Sequence, residues 1–567
     1  MGRIVLVATA LIALGCGDGA GGAGSSDDAA PDGVTDVRID ADVPDGSDKD
    51  VPGDAIEALC EIDADSPPDG SPDAGPETVT WSACPLLPDQ AASPMAECAT
   101  VEVPLRADDP TGRQLPIWLM RLPAAAPVRA QMWLLQGGPG ASGLAWGPLM
   151  QRLSALEPGL ELITVDHRGV GLSARLGCPE QEAEGSEQGA NIVDAEWPAC
   201  LAAVTALWGD DLAAFTSEAA ARDVLALASR LRREGVPVFV YGASYGTTWG
   251  HRLLQVASAD DAIAGVVLDA PNWPDRTYDD YDVLWSDAGR GLFEACANDE
   301  VCNAHLGPDP VARVEALWPK LDGGHCSVLG STTRDLKAML AWMLAYEVIR
   351  PFAPAIAYRL DRCNDADVQA IVSFYYAMFG TEGLLRFTAD PRFSQVLSSH
   401  ILYSEFAAFD QLGDEVLDSL ATDCFLCIGA GAAPQKAART WPVYPFAEEL
   451  RSWADTATPV LFLTGELDPF APAARLLQAG VREAFTAPGQ HVVVLPGSAH
   501  GALDHAAPAD GSASCGESIL LGFLADPLAP PDATCLEATA APSFTLPAST
   551  ISFVLGTDDL WGDGPTE

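Results

Sequence analysis

Basic residues are scarce in this chain. Its 567 residues include 31 Lys and Arg against 80 Asp and Glu, a formal net charge of −49. A phosphate-binding face needs clustered cations, and none is visible, so nucleic acid is excluded as a partner. The acidity is better read as solubility than as affinity for a cationic substrate. The apolar run IVLVATALIAL (4–14) is too short to span a bilayer. A second C-x-x-C is missing beside Cys424-Phe-Leu-Cys427, and His325 next to Cys326 is a weak metal partner. No metal and no cofactor are therefore expected. Residues 17–80 are poor in aromatics and rich in Asp, Gly, Pro and Ser, with eighteen carboxylates and two cations, Arg38 and Lys49. Such a segment cannot form a core and reads as an acidic tether.

What is present is a pentapeptide, Gly242-Ala243-Ser244-Tyr245-Gly246, between the strand pattern VPVFV (236–240) and the helix pattern TTWGHRLLQVAS. A Ser between two glycines on a strand-to-helix turn has the form of a nucleophile turn. The turn is so tight that its flanking positions must be small. The bland alternative is a glycine turn with a solvated Ser. Upstream, the strand pattern QMWLLQ (131–136) runs into Gly137-Gly138-Pro139-Gly140-Ala141-Ser142-Gly143. Glycines there let backbone amides approach a substrate, which an oxyanion hole requires. LELITV (160–165), ARDVLALASRLRRE (221–234) and IAGVVLDAP (263–271) add strand, helix and strand. The short spacing predicts parallel βαβ units and an α/β fold class. Further on, PVLFLTGELDPFAP (459–472) puts Asp468, and HVVVLPGSAHG (491–501) puts His500, just past the end of a strand. A Ser hydroxyl needs a base within reach, and the base needs a carboxylate to fix its tautomer. Asp468 as a helix N-cap and His500 as a loop histidine are the alternatives, with Glu466 and His505 as nearby competitors.

In that order QGGPGASG, DHRGVGLS, YGASYGTTWG, GELDPFAP and LPGSAHG resemble the prolyl-iminopeptidase branch of the α/β-hydrolases. Within it they look closest to bacterial tripeptidyl aminopeptidases with a TAP-like C-terminal segment, over roughly residues 81 to 540. The resemblance implies an α/β-hydrolase fold, a mostly parallel sheet flanked by helices, with a large helical cap insertion. It implies Ser244 as nucleophile, Asp468 as acid, His500 as base, and an oxyanion hole from the amides of Gly138 and Tyr245. There are two departures. Gln136 stands where many relatives have His or Trp, and His500 follows Gly497-Ser498-Ala499 rather than Gly-Gly or Ala-Gly.

The N-terminus reads as an address. Residues 1–15 have the form of a signal peptide, and Gly15-Cys16 resembles the lipobox of bacterial lipoproteins, whose Cys is lipidated. Ordinary signal cleavage fits at the same bond. An exported or cell-envelope protein explains fourteen Cys as disulfides. Local pairs are Cys84 with Cys98, Cys178 with Cys200, Cys296 with Cys302, and Cys515 with Cys535, and a further one is Cys326 with Cys363. Cys424 and Cys427 are expected to bridge each other or other cysteines.

The expected organisation is 1–15 signal peptide, 16–80 tether, 81–274 first part of the core, 275–455 helical cap, 456–540 second part of the core, and 541–567 an extended tail. The cap carries helical patterns such as DLKAMLAWMLAYEVI (335–349) and DVQAIVSFYYAMF (367–379). It falls over the C-terminal ends of the strands, where such sheets place their sites. The expected activity is an exported serine peptidase of the aminopeptidase type acting on peptides. An esterase with the same triad, acting on small esters, and a non-catalytic surface-binding protein are the alternatives. An aminopeptidase must pair the substrate ammonium with a carboxylate. The resemblance implies that it comes from the cap, with Glu294, Glu347 and Asp361 among the candidates. Membrane contact is expected through a lipid anchor only.

Overall fold

The strand-like runs pair into one sheet, nine-stranded among the described residues. The strands are β1 (Ser82–Pro85), β2 (Met95–Pro104), β3 (Gln114–Leu122), β4 (Ala130–Leu135), β5 (Leu160–Val165), β6 (Val238–Ala243), β7 (Ile263–Asp269), β8 (Val460–Gly465) and β9 (Gln490–Leu495). Every residue of β4, β5, β6 and β8 is buried. Strands covered by helices on both faces lose the polar alternation of a half-exposed sheet, which is why these segments read as largely apolar runs. The computed structural model describes residues 79–567 except 89, 91–92, 184, 187–190, 278–280, 380–391, 408–412, 417–418, 420–422, 430–438, 506–507, 509, 539–540 and 565–567. The expected signal peptide, Cys16 and the tether through residue 78, including Cys60, lie outside the described residues.

The strand order is β1-β2-β3-β5-β4-β6-β7-β8-β9. Pairings from β1 to β5 are antiparallel, and those from β5 through β4 to β9 are parallel. The chain leaves β4 toward β5 on one side and returns to β6 on the other. The loops after β4 and β6 therefore part at the middle of the sheet, opening the crevice in which a doubly wound sheet binds its ligand.

Between β7 and β8 the chain builds a helical layer that includes Tyr281–Asn298, Pro310–Asp322, Thr333–Met343, Phe352–Arg362, Asp365–Phe379 and Gln395–Glu405. Trp285, Leu340, Phe352 and Phe374 are fully buried in its core. A capping box of Thr332 and Asp335 starts the helix at Thr333. Before the last of these helices, Ser394 N donates to Gly140 O at 2.9 Å, seating the layer on the glycine-rich loop after β4.

The C-terminal segment differs from the extended tail expected of it. Residues Ala548–Leu555 form a helix, and Phe544, Ile551, Val554 and Trp561 are buried in the core of the helical layer. The β-branched and aromatic content that suggests a strand is a weak preference, and burial against neighbouring helices overrides it. Arg359 fastens this end by donating to Leu560 O at 3.0 Å while pairing with Asp367 at 3.1 Å.

Six disulfides occur among the described residues: Cys84–Cys98, Cys178–Cys200, Cys296–Cys302, Cys326–Cys363, Cys424–Cys427 and Cys515–Cys535. The C-x-x-C pair is thus bridged to itself. Six disulfides fit an oxidising compartment.

Sheet and helix are held closest at two glycines. A Cβ on Gly242 would lie 2.1 Å from Gly246 O, and one on Gly246 would lie 2.2 Å from Leu135 O. Gly246→Ala is expected to lower stability by at least about 1–3 kcal/mol, the usual cost of overpacking. Gly522→Ala in the helix Cys515–Ala525 meets nothing within 4 Å and is expected to gain about 0.5–1 kcal/mol from helix propensity. Urea midpoints of the two variants check this contrast.

Candidate active site

Ser244 sits where β6 ends and the helix Tyr245–Val256 begins, with φ 56° and ψ −125°. Non-glycine residues rarely adopt such a conformation, which costs of order 1–3 kcal/mol and persists only when its surroundings enforce it. Here they do. Ser244 N donates to Asp269 O at 3.0 Å on the neighbouring strand. Thr247 closes the turn from the other side, its Oγ1 donating to Ser244 O at 2.5 Å. The crowding expected between Gly242 and Gly246 is the same constraint in another form.

The loop after β4 presses against this turn. A Cβ on Gly137 would lie 3.0 Å from Ser244 Cβ, and Gly138 has φ +111°, a glycine conformation. Gln136 turns its side chain onto its own successor, Oε1 accepting from Gly137 N at 2.7 Å. Asp166, from the DHRGVGLS segment, braces the loop: its Oδ1 accepts from Gly143 N and Ser142 Oγ at 2.7 Å, and its Oδ2 from Leu172 N at 2.8 Å. The adjacent His167 is buried, and desolvation pushes its pKa down to about 3, so it is neutral. Its Nδ1 lies 2.7 Å from Arg168 O, which can only accept. The proton is therefore on Nδ1, and Nε2 accepts from the Tyr245 hydroxyl at 3.2 Å.

The loops after β8 and β9 bring Asp468 and His500 together. His500 Nδ1 lies 2.9 and 3.0 Å from the two carboxylate oxygens of Asp468. Asp468 is fully buried, and its Oδ1 also accepts from Phe470 N at 2.8 Å and Ala471 N at 3.1 Å. The ring of His500 packs on Phe470 at 4.4 Å between centroids. Its Nε2 is buried and makes no hydrogen bond, to Ser244 Oγ or any other atom among the described residues. The competitors are engaged elsewhere. Glu466 Oε2 accepts from Gly497 N at 2.9 Å, and His505 Nδ1 bonds Glu347 Oε1.

Ser244, His500, Gly138 and Tyr245 line one cleft. Leu402, Phe406 and Phe470 give it apolar walls, and Tyr281, Asn272 and Arg276 a polar side. No carboxylate lines it among the described residues. The three acids suggested for substrate ammonium all have other situations. Glu294 is exposed on the helix Tyr281–Asn298. Asp361 pairs with Arg313 at 3.0 Å and Lys320 at 2.6 Å. Glu347 accepts from Ala499 N at 3.2 Å as well as from His505. Burial alone would raise its carboxyl, but His505 and Arg350 hold it below the usual range. Arg276 and Asn272 were not singled out by sequence. The one signal that could have found them is position, since Asn272-Trp273-Pro274-Asp275-Arg276 follows the C-terminal end of β7, beside the Ser244 strand.

Residues 132–303 match the family model described as alpha/beta hydrolase fold. Two curated relatives, a putative hydrolase of Mycobacterium bovis and carboxylesterase B of Mycobacterium tuberculosis, are each 33% identical over 109 residues. The match takes in 18% of this chain and 21% of theirs, so the chain spans about a fifth of the length of these curated relatives. Similar solved structures include a lipase in its open form, with a TM-score of 0.31 and 15% identity over 73% of this chain and 96% of that one. Potato (Solanum tuberosum) epoxide hydrolase I gives a TM-score of 0.29 and 16% identity over 71% and 93%.

The Asp468–His500 pair predicts which residues make Ser244 reactive. Labelling of Ser244 by a fluorophosphonate is expected to fall by about 10²-fold or more in His500→Ala, and to persist in His505→Ala. Strong labelling of His500→Ala with loss in His505→Ala would reverse the assignment.

Proposed function

The chain has the α/β-hydrolase fold, and we propose that it is an exported serine hydrolase acting on carboxylic esters through an acyl-enzyme. The observation that carries the proposal is the meeting of Ser244 and His500 on one cleft, with the buried Asp468 carboxylate on the far nitrogen of the imidazole. Ser244 Oγ attacks the ester carbonyl while His500 Nε2 takes its proton. Asp468 keeps the proton of Nδ1 in place and stabilises the imidazolium. The amides of Gly138 and Tyr245 hold the tetrahedral oxyanion, each donor of this kind contributing about 10²–10³ in rate. His500 then protonates the departing alcohol, and water hydrolyses the acyl-enzyme by the reverse sequence of proton transfers. The missing Ser244–His500 bond is compatible with this, because such bonds are commonly loose before substrate arrives.

Fold and triad do not by themselves select ester over amide. Two observations favour the ester: a matched relative is named carboxylesterase B, and the cleft has no carboxylate lining among the described residues for a peptide's ammonium. The order of the five motifs favours an aminopeptidase as second reading. Short-chain p-nitrophenyl esters are expected to turn over, with Ser244→Ala losing at least about 10³-fold in kcat. Free-amine peptide anilides are expected to gain nothing over their N-acetylated forms. A strong loss of kcat/KM on acetylation of a good peptide substrate would move the assignment to the aminopeptidase.

The proposal extends to an address. The apolar run at residues 4–14, Cys16 after Gly15 and the six disulfides support export with a lipid on Cys16. Diacyl and amide-linked chains together would give stable anchoring where one chain would not. Cys16→Ser is expected to release the protein from membranes or block its processing. An unmodified Cys16 at the mature N-terminus, read by mass spectrometry, would remove the anchor and leave export standing.

A further inference from the structure

Among the described residues, Arg276 is the one Lys or Arg side chain on the cleft. It lies on the loop after β7 and is only 5% exposed. A guanidinium buried to that degree normally faces a carboxylate, because an ion taken out of water is costly unless paired. No ion pair to Arg276 exists among the described residues, and its Nη2 is buried without any hydrogen-bond partner. Asp279 and Asp280 lie outside the described residues.

The group is nevertheless held in place. Its Nη1 donates to Asn272 Oδ1, and its guanidinium carbon lies 5.0 Å from the ring centres of both Trp273 and Tyr281. Asn272 is itself fixed to the helix that begins after Ser244: its N donates to Thr247 Oγ1 at 3.0 Å and its Nδ2 to Thr248 Oγ1 at 3.1 Å. Thr247 Oγ1 in turn donates to Ser244 O. A continuous chain of hydrogen bonds thus runs from the guanidinium to the backbone of the nucleophile turn. Aromatic rings hold a guanidinium by cation–π attraction but take none of its N–H donors in plane. The Nη2 donors of Arg276 are left for an acceptor, and a carboxylate supplies both the acceptor oxygens and the opposite charge.

We propose that Arg276 is a specificity-determining residue that binds a carboxylate on the substrate, so that the preferred substrates are esters carrying a free carboxylate in the same molecule. This rests on Ser244 being the nucleophile, and it deepens that reading by naming the substrate class. The apolar walls at Leu402, Phe406 and Phe470 contact the hydrocarbon between the carboxylate and the scissile bond. Arg276 takes no part in bond making, and its contribution is to orient the substrate.

The test compares three p-nitrophenyl esters of one skeleton: the hydrogen adipate, its methyl ester, and the heptanoate. A parallel arm uses p-acetoxybenzoate, which carries the charge on the leaving group, and methyl p-acetoxybenzoate as its neutral counterpart. All are assayed at one ionic strength, because a chain of net charge −49 repels anions at long range. In at least one arm the anion is expected to exceed its neutral ester in kcat/KM by about tenfold or more. The arm identifies the side of the scissile bond on which Arg276 acts. Arg276→Gln is expected to lower the kcat/KM ratio of that anion to its neutral ester by roughly 30-fold or more, whatever the variant does to both in common. Arg276→Lys, which keeps the charge and loses the fork, is expected to fall between. Methyl hydrogen adipate is expected to compete with a neutral ester in the wild-type protein, a measurement that needs no variant. Neutral esters preferred in both arms, no competition, or a preference unchanged in Arg276→Gln would each overturn the proposal while Ser244-dependent ester turnover stood. Ester turnover surviving Ser244→Ala would instead refute the nucleophile itself.

Discussion

The structure turns on one crowded junction, where the β4 loop, the end of β6 and the helix after Ser244 meet with no room for a single extra carbon. Gly242 faces Gly246, Gly246 faces Leu135 O, and Gly137 faces Ser244, all at distances that a Cβ could not tolerate or could barely tolerate. Ser244 places its side chain among these glycines, and it does so at a positive φ. A residue in that conformation cannot relax unless the turn opens, and the turn cannot open without separating β6 from β7, since Ser244 N is bonded to Asp269 O. The strain is stored locally and balanced by the sheet. Its consequence is a hydroxyl raised above the sheet at the switch point, beside the first turn of a helix whose positive end favours developing negative charge.

Around that junction, each acidic side chain has one assignment, and this separates the pair that could do chemistry from those that brace. Asp166 spends one oxygen on the glycine loop and the other on Leu172 N, Glu466 accepts at the turn at Gly497, and Glu347 meets His505 and Ala499 N. Asp468 takes two backbone amides as well as the imidazole, so its orientation does not depend on His500. His505 and His500 lie five positions apart and both meet carboxylates, yet only His500 lines the cleft with Ser244. Chain order could rank the two histidines. Only the course of the loops after β8 and β9 could separate them.

The legible parts of the sequence are those in which a physical constraint acts on neighbouring residues. Crowding leaves glycines at 242 and 246, burial on both faces leaves largely apolar strands, and short loops leave cysteine pairs such as Cys296 and Cys302 close in sequence. Each is local, so each is written in a few consecutive letters. The helix Ala548–Leu555 was hidden because its conformation is decided by packing against Asp365–Phe379 and its neighbours rather than by its own β-branched composition. The charge that lines the cleft, on Arg276, was hidden for the same reason. Glu294 and Asp361 lie on helices, but a helix has more than one face; Glu347 lies in the turn between Thr333–Met343 and Phe352–Arg362, and the partners that claim Glu347 and Asp361 are remote in sequence.

The sign of the cleft follows from what surrounds it. A chain this acidic could satisfy a buried cation from almost any direction, and other buried cations here are so satisfied: Arg168 by Asp223 at 2.6 Å, Arg359 by Asp367 at 3.1 Å. Both of those pairs are closed on themselves and carry no free valence toward a ligand. Arg276 differs in being fixed by an amide and two aromatic rings, none of which neutralises it. Leaving a buried donor unmet costs about 1–3 kcal/mol, and more when the group is charged. An ester carrying a carboxylate would recover that cost on binding, and the recovery would go to the substrate that places its carbonyl at the strained turn.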